Sequence, residues 1–228
     1  MIYFYDTTYV LVIIGAVISI IASLNVKSTY KKYSKQHTRS GYTAERVAEM
    51  ILRGSGITDV SIRRISGDLT DNYSPKDKIL NLSDSVYGSS SIAAIGVAAH
   101  ECGHAIQHAR GYAPLSIRSA IVPVVNFGSK LSWPLIVIGL VIPKLDVCLT
   151  IGVVLFSLVV IFQFITLPVE FDASGRAISI LRDGGFMERD ELKGARKVLT
   201  AAAMTYVAAM VSAILQLLRL VLLSNRRR

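Results

Sequence analysis

Residues Ala98–Ala109 read AAHECGHAIQHA. Within them His100, Glu101 and His104 form the pattern H-E-x-x-H. On an α-helix, residues four apart stand about 40° apart around the axis and one turn along it, so both imidazoles face the same way. Two such nitrogens can bind one divalent ion at about 2.0–2.1 Å. Glu101 stands about 100° around from His100, beside such an ion rather than behind it. From there its carboxylate can take a proton from water activated at the ion, which is the arrangement of zinc peptidases. In this composition such a match arises by chance only about 0.002 times. The competing reading is a pair of satisfied histidines in a helix core.

The other reactive side chains nearby fit less well. His108 lies eight residues from His100, about 12 Å along the axis, too far to share one ion with it. It reads as a polar residue near the helix end. The metzincin pattern would need a histidine at position 110, which is Arg110. Cys102 falls on the other face of the helix and reads as a small packed residue. With Cys148 alone elsewhere, the two cysteines make neither a disulfide framework nor a zinc knuckle.

The motif needs a helix, and the sequence supplies one. Ala93, Ala94, Ala98, Ala99 and Ala105 are strong helix formers. Ser89–Ser91 offer a cap for a helix over Ile92–Ala109, and Gly111 and Pro114 end it. Upstream, Thr43–Leu52 predicts a short amphipathic helix with Val47, Met50 and Ile51 on one face, stopped by Gly54 and Gly56. Asp59–Ile65 and Lys78–Leu82 alternate as strands, and the Gly, Pro, Asn and Asp of 67–78 predict a turn.

The rest of the chain points to a membrane. Of 228 residues 52% are hydrophobic, and the mean hydropathy is +0.48, too apolar for an ordinary soluble domain. Tyr9–Leu24 and Val147–Val169 carry no charge, and Ala201–Leu223 carries only Arg219. Leu115–Ile142 is mostly apolar but interrupted by Pro123, Lys130 and Pro134. Roughly 20 apolar residues span a bilayer. Residues 1–8 contain Asp6 and no Lys or Arg, whereas Lys27, Lys31, Lys32, Lys35 and Arg39 follow the first apolar run. That order predicts a retained anchor whose following segment is cytoplasmic, rather than a cleaved signal peptide. The net charge of +9 clusters beside apolar runs, where it sets orientation and meets anionic headgroups. No groove-reading helix or single-strand platform accompanies it, so nucleic acid is not expected as a partner.

Topology then nominates a third ligand. If residues 25–115 are cytoplasmic, the chain leaves through about 119–142, turns at Pro143–Asp146 and returns through Val147–Val169. Glu170 is the first carboxylate after that return, and carboxylates are accepted zinc ligands. Asp172 competes for the role.

Four stretches together carry a resemblance: VAAHECGHAIQHA, YAPLSIRSAIVPVVNFGS, FQFITLPVEFDAS and VLTAAAMTYVAA. Over nearly the whole chain after the anchor, the sequence resembles the bacterial YugP-like membrane zinc metallopeptidases. The resemblance implies a reaction class and not a substrate. A more distant similarity is to the HtpX and CAAX-prenyl protease group, in which H-E-x-x-H pairs with a later E-x-x-x-D. Matched by position, Glu170 falls on that group's third zinc ligand. Ser174 stands where the group has aspartate, so Ser174 offers a ligand histidine only a weaker hydrogen bond.

The sequence thus predicts an α-rich α+β, multi-pass helical protein of the cell membrane with a small cytoplasmic zincin-like catalytic part. Its expected parts are an anchor (1–26), the zincin-like part (27–114), a membrane hairpin (115–169), a cytoplasmic segment with the third ligand (170–200), and an apolar helix with a basic tail (201–228). One Zn2+ on His100, His104 and Glu170, with Glu101 as general base, would hydrolyse a protein or peptide substrate at the membrane. The rival is a zinc-stabilised scaffold without turnover, which has no use for Glu101. A transporter is weaker, since only Lys130 and Arg219 are intramembrane charges. Lys78–Leu82 is the expected sheet edge for an extended substrate, and Tyr73 and Arg176 are candidate oxyanion partners.

Overall fold

The computed structural model describes residues 7–225 and, of Pro143, the backbone alone. The expectations for Asp6 and for the basic tail Arg226–Arg228 lie outside the described residues. The elements are α1 (Tyr9–Tyr33), α2 (Ala44–Gly54), β1 (Ser61–Ile65), β2 (Asn72–Ser74), β3 (Ile79–Ser83), α3 (Ile92–Ala109), α4 (Ala113–Val141), a 3-10 turn (Pro143–Leu145), α5 (Asp146–Asp183) and α6 (Arg189–Asn225). The protein is helix-rich with one small sheet.

The chain forms two compact units. One comprises residues 24–116 and 168–204; the other takes the rest of the four long helices, within 1–23, 117–167 and 205–228.

The first unit is built around α3. Fourteen of its eighteen residues are buried. Such a helix needs small side chains, and its alanines let α2 and the sheet close on it. Ser91 caps it, accepting from the Ala94 N–H at 3.2 Å. At the other end Gly111 takes φ +61°, which ends the helix. Pro114 then sits in the first turn of α4, where its missing N–H costs nothing. Val47, Ala48, Ile51 and Leu52 of α2 join Leu80 and Leu82 of β3 in the same core.

The sheet order is β1-β3-β2. β1 pairs parallel with β3, and β2 pairs antiparallel with it. The central strand is therefore the one expected to be an edge. Asn81 has Arg63 on one side and Asn72 on the other, so β3 has no free side on which to pair with an extended substrate. The cause is β2, three residues inside the stretch predicted as turn, too short to show alternation. The remainder of that stretch does turn, with Gly67, Leu69 and Lys78 at positive φ.

In the second unit, helices meet through small residues. Ser212 Oγ donates to the Gly15 carbonyl and lies 2.9 Å from Ser19 Oγ. A Cβ on Gly139 would come within 2.4 Å of the Leu149 backbone nitrogen. Close small-residue contacts of this kind hold helices together in lipid, where apolar burial gives no drive. Pro123 and Pro134 lie inside α4, which remains one helix. All four of α1, α4, α5 and α6 are long and apolar enough to cross a membrane. Large apolar side chains such as Ile13, Ile21, Val154 and Phe127 are more than half exposed, as lipid-facing residues are.

Candidate metal centre

α3 and α5 form the site. His100 and His104 present their Nε2 atoms to one carboxylate oxygen of Glu170, at 3.4 and 3.6 Å. Among the described residues, these three make a group whose potential ligand atoms all lie within 4.8 Å of one another. Donors on a tetrahedral ion at about 2.0–2.2 Å stand about 3.4 Å apart. The spacing and the two-nitrogen, one-oxygen donor set therefore suit zinc. The group is screened from water: Glu170 is 2% exposed and His104 8%.

The approach of the two helices depends on Gly103. A Cβ there would stand 2.7 Å from the Ala173 carbonyl oxygen and 3.1 Å from its Cα. The contact brings α5 close to α3 between the two histidines in sequence. Val169, Glu170, Ala173 and Ala177 share the buried stripe of α5, following the three- and four-residue spacing of a helix face.

Each histidine is held at its other ring nitrogen. Ser174 Oγ lies 3.1 Å from His100 Nδ1, in the position where the distant E-x-x-x-D pattern has an aspartate. His104 Nδ1 lies 3.0 Å from Gln107 Oε1. The Gln107 amide nitrogen donates to the Val169 carbonyl and to Asp172 Oδ2, both at 2.8 Å. With the amide so committed, its oxygen accepts from Nδ1–H, which leaves the Nε2 lone pair for a metal. Asp172, the competitor for the third ligand, instead accepts from Gln107 and from Arg176 Nε at 2.6 Å. A carboxylate, Asp172, thus reaches His104 only through the amide of Gln107.

Glu101 is buried at 8% exposure. Burial pushes its carboxyl above the usual range, while the nearby His100 and His104 pull it back. The Cys102 thiol, pushed up strongly by burial, points at the Ala48 carbonyl at 3.7 Å, away from the site. His108 is not in the group; its Nδ1 lies 2.8 Å from the Tyr73 hydroxyl. Arg176 is engaged by Asp172 and lies over the Tyr112 ring. Each oxyanion candidate thus has a partner, Tyr73 in His108 and Arg176, through its Nε, in Asp172.

Sequence reasoning passed over Gly103 and Gln107. The signal for Gln107 was its place three residues after His104, within reach on the same helix face. Gly103 stands between the two histidine turns, and only knowledge of what packs there gives it a meaning.

A buried His-His-Glu cluster of this kind, its glutamate delivered by a second helix, is compatible with the metal centre of a zinc metallopeptidase. The chain belongs to the family described as "Putative neutral zinc metallopeptidase", whose family model matches residues 8–225. It is similar to "Putative membrane protease YugP" of Bacillus subtilis (strain 168), with 45% identity over 202 residues, 89% of each chain. No solved structure matches it.

Proposed function

We propose that this chain is a multi-pass membrane zinc endopeptidase acting on protein or peptide substrates at the bilayer. The observation that carries the reading is the convergence of His100 Nε2, His104 Nε2 and Glu170 Oε2 at 3.4 and 3.6 Å. These three residues would hold one zinc. When bound, zinc would supply Lewis acidity toward the scissile carbonyl and toward water.

The protein's own part falls to Glu101. Its carboxylate accepts a proton from water as the water oxygen bonds to the carbonyl carbon. It then passes that proton to the amide nitrogen as the C–N bond breaks. Ser174 and Gln107 hold the two imidazoles still, and the buried Glu170 keeps negative charge beside them.

Residues 27–114 and 170–200 are the cytoplasmic zincin-like part, and 1–26, 115–169 and 201–228 are the membrane parts. Basic residues following the first apolar run and lying between α5 and α6 support this orientation. Nucleic acid has no place in this reading.

The test is cleavage of membrane-bound reporter proteins by the purified protein and by Glu101→Gln. Cleavage by the former and its loss in the latter, with zinc retained, is the expected result. A wild type that cleaves nothing, while Glu101→Gln fully replaces it in a deletion strain, would leave a zinc-stabilised scaffold instead.

A further inference from the structure

Several basic side chains of the first unit have a carboxylate partner. Arg39 meets Glu188 and Asp190, Arg46 and Arg53 meet Glu49, Arg64 meets Asp84, and Arg176 meets Asp172. Among those without such a partner, four lie together. The end of α1 and the start of α6 border a groove of about 530 Å3 into which Lys32, Lys193, Arg196 and Lys197 converge. Among the described residues no Asp or Glu lines it. Among the described residues none of the four has a carboxylate within 4.0 Å. All four are exposed, and Lys32 Nζ stands over the Tyr33 ring at 5.6 Å. Thr29 and Thr200 add hydroxyls to the same lining. Gly194 allows the close approach, since a Cβ there would meet the Tyr33 ring at 2.8 Å.

Four converging positive charges repel one another unless an anion joins them. The surroundings say which kind of anion. The groove lies where two long uncharged stretches end: Tyr9–Val26 of α1 and Val198–Leu218 of α6. Ala201 and Met204 give it an apolar wall, and Leu24 close by is 62% exposed. A charged head with apolar tails matches this order of surfaces, whereas a free anion has no use for the wall.

We propose that this groove binds the phosphate headgroup of an anionic phospholipid, with the acyl chains leaving over its apolar wall at Ala201 and Met204. The site is separate from the His100–His104–Glu170 cluster and does not depend on peptidase activity. Lys193, Arg196 and Lys197 clamp the phosphate, Lys32 closes it from the facing helix, and Thr200 donates to its oxygens.

The test titrates the full-length protein in detergent with fluorescent phosphatidylglycerol and phosphatidylcholine. Phosphatidylglycerol should bind at least tenfold more tightly. The triple change Lys193→Gln, Arg196→Gln, Lys197→Gln should weaken it at least tenfold, by the worth of basic side chains near an anionic headgroup. Removing equal charge outside the groove (Lys27→Gln, Lys31→Gln, Lys35→Gln) should change it less than about twofold. Equal loss from either triple would reduce the effect to net charge and overturn the site. Equal affinity for the two lipids would also overturn it. So would displacement by inorganic phosphate at concentrations matching the lipid, which would make it a free-phosphate site. Should the groove triple fail to fold, single Arg196→Gln and Lys197→Gln at these exposed positions carry the test, each with at least a threefold loss expected.

Discussion

Gly103 lies against the backbone of Ala173 with no room for a side chain: a Cβ would stand 2.7 Å from the Ala173 carbonyl oxygen. Because the obstacle is backbone, no rotamer change relieves it. Gly103→Ala must push α5 away from α3, and Glu170 lies within one turn of the contact. Overpacking of this kind costs about 1–3 kcal/mol. Zinc content and thermal unfolding of the purified variant should both fall. Full zinc occupancy at the wild-type melting temperature would show that the approach does not position the ligand.

Gln107 is buried, with its amide engaged by His104, Val169 and Asp172. Gln107→Leu keeps the volume and removes every one of these bonds. Partners of metal-binding histidines are typically worth 10–100-fold in affinity. Chelator competition should therefore give a zinc Kd raised by about that factor. Ser174→Ala, which removes one hydroxyl from His100, should cost less. A larger effect at Ser174 than at Gln107 would reverse the assignment of the stronger support.

The residues of H-E-x-x-H should separate by experiment. His104→Ala should lose both zinc and cleavage. Glu101→Gln should keep zinc and fold, with kcat reduced by about 10²–10⁴-fold, the usual worth of general acid–base catalysis. Removal of metal from the wild type should abolish cleavage, and added zinc should restore it. Equal zinc loss in Glu101→Gln would make that residue a ligand rather than a base.

Arg39 joins the loop after α1 to the start of α6, outside the apolar stretch Ala201–Leu223. Its guanidinium hydrogen bond holds the Asp190 carboxyl below the usual carboxylate range. A depressed folded pKa gives stability that is present above the unfolded value and lost as pH falls through the folded one. Arg39→Ala should therefore lower the melting temperature at pH 7. The gap from wild type should close as Asp190 protonates, below about pH 4. The exposed pair makes the effect small. A gap that persists undiminished at pH 2.5 would assign it to packing rather than charge.

The path of α6 is open to a direct test. If Ala201–Leu223 crosses the bilayer, a cysteine at Ser224 should label from outside intact cells, and a cysteine at Ser55 should not. Labelling at Ser55 alone would reverse the orientation proposed for the whole chain.

The helix Ile92–Ala109 and the shared direction of His100 and His104 were legible in the sequence because both are local. A four-residue spacing on an alanine-rich, serine-capped segment leaves the imidazoles no other arrangement. The long apolar helices were legible for a similar reason, since length and hydropathy are properties of one segment at a time. The sheet order was not. β2 is three residues long, and its pairing with β3 is a choice between partners distant in sequence. The third member of the cluster lay between these cases. Glu170 and Asp172 are two residues apart, so chain order could nominate both. Their side chains leave α5 about 200° apart, and the face of α5 that meets α3 decides between them. Gly103 against Ala173 sets that face: Glu170 goes to the histidines, and Asp172 to Gln107 and Arg176. A close approach between two helices is a property of the pair, and neither segment's own sequence contains it.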